Sequence, residues 1–313
     1  MRCPQEQTAG DGAGNRFGRT SELRLRAVAR NGATAVPELY ATMPFKVMHA
    51  FDMRAQDLSG YTRLTDAARA DNRTLAAPKQ LMVMSVSAGI MAGDRQELDI
   101  KVGRGAALSM TTQAFEKIHR MEAGEHAKRH TRIHVDAHAY LDYRPLPQIP
   151  FADSSYTTDT IIELGGRTSH LIYEEILSCG RAARGERFAY RDYRSHVRIE
   201  LAGTPIFIDN TVYRPTDMDM QGLGFYGGYS HLANMVLVNL DIDDKRFAEI
   251  RAYLQSQTGE IGAGAGASIN DEPSEDEIAG GITRLASGDC LVKLLGQRAQ
   301  RLQEILEHIR YLV

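Results

Sequence analysis

Apolar and polar residues alternate along much of the chain with a period of two, the pattern of a strand with one buried face. The clearest run is Glu97, Leu98, Asp99, Ile100, Lys101 and Val102. Upstream, Leu23, Leu25 and Val28 are the apolar members of a first strand over 22–29. Asn31-Gly32 is a hairpin turn signal, and a second strand is expected to run into 38–42. A buried strand is expected over 81–86, leading into a turn that contains Gly89, Gly93 and Asp94. Gly103-Arg104-Gly105 is expected to close a hairpin between 97–102 and a returning strand at 106–110. Further on, 133–135 is expected to pair with 139–143 across Asp136-Ala137-His138. In the same way 157–164 leads through Gly165-Gly166 to a returning 170–177, and 197–201 and 205–213 flank Ala202-Gly203-Thr204. Strands this short and this regularly punctuated predict a β-dominated fold.

Helical spacing enters late. Asp243 or Asp244 is placed to cap a helix whose Phe247, Ile250 and Leu254 share a stripe, and 297–311 carries Leu302, Ile305, Leu306 and Ile309 at the same spacing. Residues 257–281, rich in Gly, Ala and acids, are expected to be a flexible, solvated insertion. Residues 52–79 are expected to be a loop with a helical turn. The prediction is a mainly β fold: a disordered tail over 1–20, then one large sandwich-like domain over 21–313 with a few α-helices near its C-terminal end.

Composition narrows the function classes. With 313 residues and a formal charge of −3, no basic field points to nucleic acid and no polybasic helix to a membrane surface. No apolar run approaches the ~20 residues of a spanning helix. The N-terminal segment lacks the apolar core of a signal peptide, so a cytoplasmic location is expected. Cys3, Cys179 and Cys290 are too far apart for a metal knuckle and are expected to be reduced, two of them packed inside.

Four histidines, His126, His130, His134 and His138, recur every four residues. On a helix they would stack on one face, but 131–136 alternates as a strand, where positions i and i+4 lie ~13 Å apart, too far to share a metal. His134 and His138 flank a tight turn and stay as weak metal candidates. Asp142 and Glu175 each sit inside an otherwise apolar strand, where a carboxylate needs a partner, a water path or a metal. A structural ion pair of Glu175 with Arg181 is one reading. A glycosidase-like carboxylate pair is another, making the chain a β-rich hydrolase. G-x-S-x-G and a P-loop are both absent from the sequence.

One ordered set of motifs spans residue 42 to the C-terminus. It comprises Met43-Pro44-Phe45-Lys46, the turn ending in Gly93-Asp94, and Thr111-Thr112-Gln113 with Lys117. The Asp142 segment, the segment from Glu175 through Arg181 to Glu186, Asp209-Asn210, and Asn234 with Val236-Leu237-Val238 complete it. In this order the motifs resemble the urease accessory protein family UreD/UreH, closest to its UreH branch. The resemblance implies a β-rich fold that is helical in path and a non-enzymatic scaffold for urease maturation. Its partners would be apo-urease, a UreF-type accessory protein and, through it, a UreG-type GTPase. No cofactor would be tightly bound, and nickel(II) would be held transiently. Asp142 and Glu175 then become candidates for a polar nickel route, because weak oxygen ligands in series let an ion enter and leave. Gly93, Asp94, Thr112, Gln113, Lys117, Arg181 and Glu186 would shape a partner surface. A scaffold that never contacts nickel is the remaining alternative.

Overall fold

The computed structural model describes residues 20–53, 75–222, 224–258 and 273–313. Strand β1 (Thr20–Arg30) turns through Asn31-Gly32 into antiparallel β2 (Ala33–Ala41). Both turn residues have positive φ, 51° and 78°, the geometry an Asn-Gly hairpin supplies at little cost. Short β3 (Phe45–Val47) and β4 (Phe51–Asp52) pair antiparallel with β5 (Lys79–Ser85).

From here the chain changes sheet with almost every strand. In one sheet β6 (Arg95–Val102), β9 (Ala127–Val135), β12 (Ser155–Leu164) and β14 (Asp192–Leu201) lie parallel, with β1 beside β6. In the other, β5, β7 (Ala107–Thr112), β10 (Tyr140–Arg144) and β13 (His170–Ser178) lie parallel. Off the main path of this second sheet, β8 (Glu116–Ile118) pairs with β11 (Gln148–Pro150), which pairs in turn with β13. The path is that of a β-solenoid, winding between two stacked sheets.

Three expected hairpins are therefore arches. Gly103-Arg104-Gly105, Asp136-Ala137-His138 and Gly165-Gly166 carry the chain from one sheet to the other, and the strands they join do not pair. The cause is that both strands bury one face in the same core, so alternation looks identical whether the partners lie side by side or face each other. The hairpin at Ala202-Gly203 does form, returning β15 (Thr204–Tyr213) antiparallel along β14.

Strands β16 (His231–Val238), β17 (Ile278–Arg284) and β18 (Cys290–Gly296) complete the second sheet. Among the described residues the first sheet runs β15-β14-β12-β9-β6-β1-β2. The main path of the second is β17-β18-β16-β13-β10-β7-β5-β3. The expected insertion 257–281 thus ends in an edge strand, while 259–272 lie outside the described residues. Gly280 makes that strand possible: at φ 139° it lies so close to β18 that a Cβ would stand 2.1 Å from the Lys293 carbonyl oxygen. Residues 1–19, within the expected tail, and 54–74, within the expected loop, also lie outside the described residues.

Two layers of core result. Leu23, Ile100, Ile133 and Ile162 of the first sheet pack on Leu108, Leu141, Leu171 and Val236 of the second. On the second sheet's other face, Tyr140, Ile172, Met235 and Leu294 meet helices α1 (Asp244–Gln257) and α2 (Ala299–Leu312) through Ile250, Leu254, Leu302, Ile305 and Ile309. Asp243 caps α1, accepting from the Arg246 amide at 2.8 Å. Cys179 and Cys290 are buried and free, as expected. Among the described residues no helix is long and apolar enough to cross a membrane.

Candidate functional site

Along the parallel strands of the first sheet, the inward side chains change from polar to apolar in step. On β6 they are Gln96, then Leu98, Ile100 and Val102; on β9 they are Arg129 and Thr131, then Ile133 and Val135. On β12, Tyr156, Thr158 and Thr160 precede Ile162, and on β14, Tyr193 and Ser195 precede Val197. Parallel register places equivalent positions side by side, so Ser21, Gln96, Arg129, Thr158, Ser195 and Thr211 form one row across six strands. Ser21, Gln96, Thr158 and Ser195 are buried. One half of the space between the sheets is a polar seam.

The second sheet faces this row with Tyr143, Tyr173, Glu175 and Asn234. The rings of Tyr143 and Tyr173 stack at 6.0 Å. At one end Arg129 is clasped by both carboxylate oxygens of Glu116 and donates from Nε to Gln96 Oε1 at 2.9 Å. Burial opposes the Arg129 charge, and the Glu116 carboxylate more than offsets it, holding the guanidinium protonated. A cavity of about 110 Å³ opens beside this pair, bordered by Tyr143, Thr111, Thr112 and Lys117.

At the other end Glu175 accepts from Asn234 Nδ2 at 2.9 Å and from Tyr173 Oη at 3.1 Å. Burial pushes its carboxyl upward; the Asn234 hydrogen bond works against that, and the nearby charge of Asp209 adds to it. A second hollow, of about 20 Å³, is lined by Glu175, Asn234, Ser195, Thr211, Gln148 and Tyr193. It has room for one water-sized guest.

The structure separates the two carboxylates singled out in the sequence. Asp142 and Glu175 project from opposite faces of the second sheet. Asp142 points toward α2, where its carboxylate meets Arg310 Nε and Arg144 Nε, each at 3.4 Å, and Ser109 Oγ at 3.3 Å. Glu174 pairs with the same Arg310, so three buried charges pin the C-terminal helix to the sheet. The expected Glu175–Arg181 ion pair does not form. Arg181 binds Glu186, with Nε to Oε2 at 2.7 Å, and lies over the Phe151 ring at 4.1 Å. Alternation explains why: Glu175 turns into the seam, whereas Arg181 follows Gly180 out of the strand.

The remaining motif residues hold loops. Gly93 donates to the His126 carbonyl at 2.9 Å, and Asp94 Oδ2 accepts the Met91 amide at 2.8 Å. Thr112 Oγ1 accepts the Leu146 amide at 2.9 Å, and the Gln113 amide bonds to the Val83 carbonyl at 2.9 Å. Lys117 is exposed on β8 beside the larger cavity. Of the histidine series, His130 and His134 lie on the outward face of β9. His134 Nε2 meets Asp136 at 2.9 Å and its Nδ1 meets Glu163 at 3.4 Å; His130 shares Asp159 with His196, at 3.0 and 2.7 Å. His138 occupies the arch with φ 60°, away from the strand. Among the described residues no three His, Cys, Asp or Glu side chains are grouped to hold a metal ion.

The UreD urease accessory protein family model matches residues 19–313. The chain is 30% identical over 296 residues to a urease accessory protein UreD of Acetivibrio thermocellus, covering 95% of this chain and 98% of that one. To a urease accessory protein UreH of Helicobacter pylori it is 30% identical over 296 residues, covering 94% and 95%. A urease accessory protein UreD of Haemophilus influenzae matches at 31% over 295 residues, covering 92% and 97%.

Proposed function

Because the chain belongs to the UreD urease accessory protein family, we propose that it is a non-catalytic scaffold of urease maturation that passes nickel(II) along its polar seam. In this reading it works in the cytoplasm, binds apo-urease, and receives the ion through UreF-type and UreG-type partners. The observation that carries the reading is the row Ser21, Gln96, Arg129, Thr158, Ser195 and Thr211, facing Tyr173, Glu175 and Asn234, where the other half of the space between the two sheets packs Leu, Ile and Val. Burying polar groups is costly unless they are hydrogen-bonded, and Ser195 Oγ and Asn234 Oδ1 in this lining have no protein partner, which leaves them free for a guest. Hydroxyl, amide and single carboxylate oxygens hold a divalent ion weakly, which suits transient passage. Glu116 cancels the Arg129 charge, so that end of the seam does not repel a cation.

The hydrolase alternative needs two carboxyls on one substrate. Asp142 and Glu175 face opposite sides of a sheet, so this pair does not meet that need. The scaffold without nickel contact is separated by experiment. Glu175→Gln is placed in a host that makes urease and its accessory proteins, and urease activity, nickel content and capture of partners are measured. The expected result is normal capture with nickel content and activity reduced several-fold. Unchanged activity would leave the chain as a scaffold that does not touch the ion.

A further inference from the structure

Glu175 on β13, Asn234 on β16 and Lys293 on β18 are direct cross-strand neighbours on the interior face of the second sheet, and the next partner outward is Gly281 on the edge strand β17. Neighbouring strands lie about 4.8 Å apart, so three steps lead from the sheet edge to Glu175. The outermost step has no side chain. Across the gap stands Asp209 of β15, the edge strand of the first sheet, accepting Thr211 Oγ1 at 2.7 Å and Lys293 Nζ at 3.3 Å. The lysine side chain is 49% exposed and the aspartate 16%, so the cation faces solvent and the anion faces inward.

Behind this pair lies the 20 Å³ hollow. Two of its lining atoms, Asn234 Oδ1 and Ser195 Oγ, have no hydrogen-bond partner, although their residues are only 4% and 6% exposed. Unsatisfied buried oxygens beside a carboxylate mark a place for a guest that accepts electron pairs. A half-exposed ion pair of this kind contributes little to stability and is readily broken. A divalent ion, with twice the charge, competes well for the same carboxylate.

We propose that Lys293 and Asp209 form a displaceable latch at the lateral mouth of this hollow, and that an arriving divalent cation takes the ammonium's place on Asp209 before reaching the oxygens of Glu175, Asn234 and Ser195. The latch rests on the proposed function in that nickel(II) is the ion and Glu175 is part of its route. Displacement frees the ammonium to solvent, and no proton changes hands. A cation seated between the two carboxylates offsets the negative charge that Asp209 presents to Glu175.

Equilibrium dialysis of the full chain with nickel(II) alone tests the latch, counting the ion bound beyond that retained by Glu175→Gln. Lys293→Ala is expected to tighten this site three- to ten-fold, Asp209→Asn to weaken it several-fold, and Lys293→Arg to resemble wild type. Lys128→Ala, on the outward face of β9, removes the same charge and is expected to change nothing. If Lys293→Ala unfolds on circular dichroism, Lys293→Gln takes its place. Equal affinity in wild type and Lys293→Ala, or equal tightening by Lys128→Ala, overturns the latch while the Glu175 seat stands. If Glu175→Gln binds as much nickel as wild type, the seat itself fails and the latch with it.

Discussion

Glu175 illustrates how a buried carboxylate costs its protein stability. Its pKa is raised in the fold, first by burial and further by Asp209 against the opposing Asn234 bond, so folding favours the neutral acid. The stability this group contributes is present below its unfolded pKa, about 4.3, and is lost as pH rises through the folded value. Glu175→Gln is therefore expected to be more stable than wild type at pH 8, with the advantage fading by pH 4. Urea unfolding at the two pH values measures it, and a variant less stable at pH 8 would contradict the assignment. Arg310 presents the opposite case. Arg310→Met leaves Asp142 and Glu174 buried without their shared cation and is expected to cost about 3–5 kcal/mol by the same measurement. Asp142 and Glu175 stood out in the sequence because each interrupts an apolar strand, but their partners did not. One partner of Asp142, Arg310, lies 168 residues away on α2. Arg129 carried a signal that was there to be read: it shares the parity of Ile133 and Val135, the buried side of β9. The adjacent histidines, on the outward parity, drew attention instead.

At the level of elements, local chemistry was the reliable guide. Asn31-Gly32 formed its hairpin, Asp243 capped α1, and the stripe of Leu302, Ile305 and Ile309 became the buried face of α2. Each of these is decided within a few residues. What failed was partner choice across a turn, because alternation fixes which side chains are buried and leaves open whether the next strand lies beside or opposite. The three arches follow from that ambiguity. The docking of α2 is the element-level quantity most open to test. Ile305→Ala removes a fully buried side chain between α2 and the second sheet and is expected to cost about 2–5 kcal/mol. Asp243→Ala, which removes one cap, is expected to cost about 1 kcal/mol. Chemical denaturation reads both, and a cost for Ile305→Ala no larger than that of the cap would mean that α2 is not firmly docked.

The seam belongs to the whole molecule, since no strand contains it. A solenoid of parallel strands aligns equivalent positions, so a polar residue near the start of each strand becomes one side of a continuous lining. The repeat is hidden in sequence because its strands begin at Arg95, Ala127, Ser155 and Asp192, unevenly spaced, with arches and the short β8 and β11 between them. Only the register reveals the row. A double substitution in the row separates a lining that guides an ion from one that merely tolerates polarity. Thr158→Val with Ser195→Ala nearly conserves volume and removes two hydroxyls from the row; with Ser195 Oγ already unpartnered, the fold is expected to lose no more than about 1 kcal/mol. Partner capture should be unchanged, because neither side chain reaches the surface. Nickel content of co-expressed urease should nevertheless fall at least two-fold, because an ion crossing that stretch exchanges its water for fewer oxygens. Unaltered nickel loading in a well-folded double variant would mean that the ion travels elsewhere and that the buried hydroxyls serve only the packing of the two sheets.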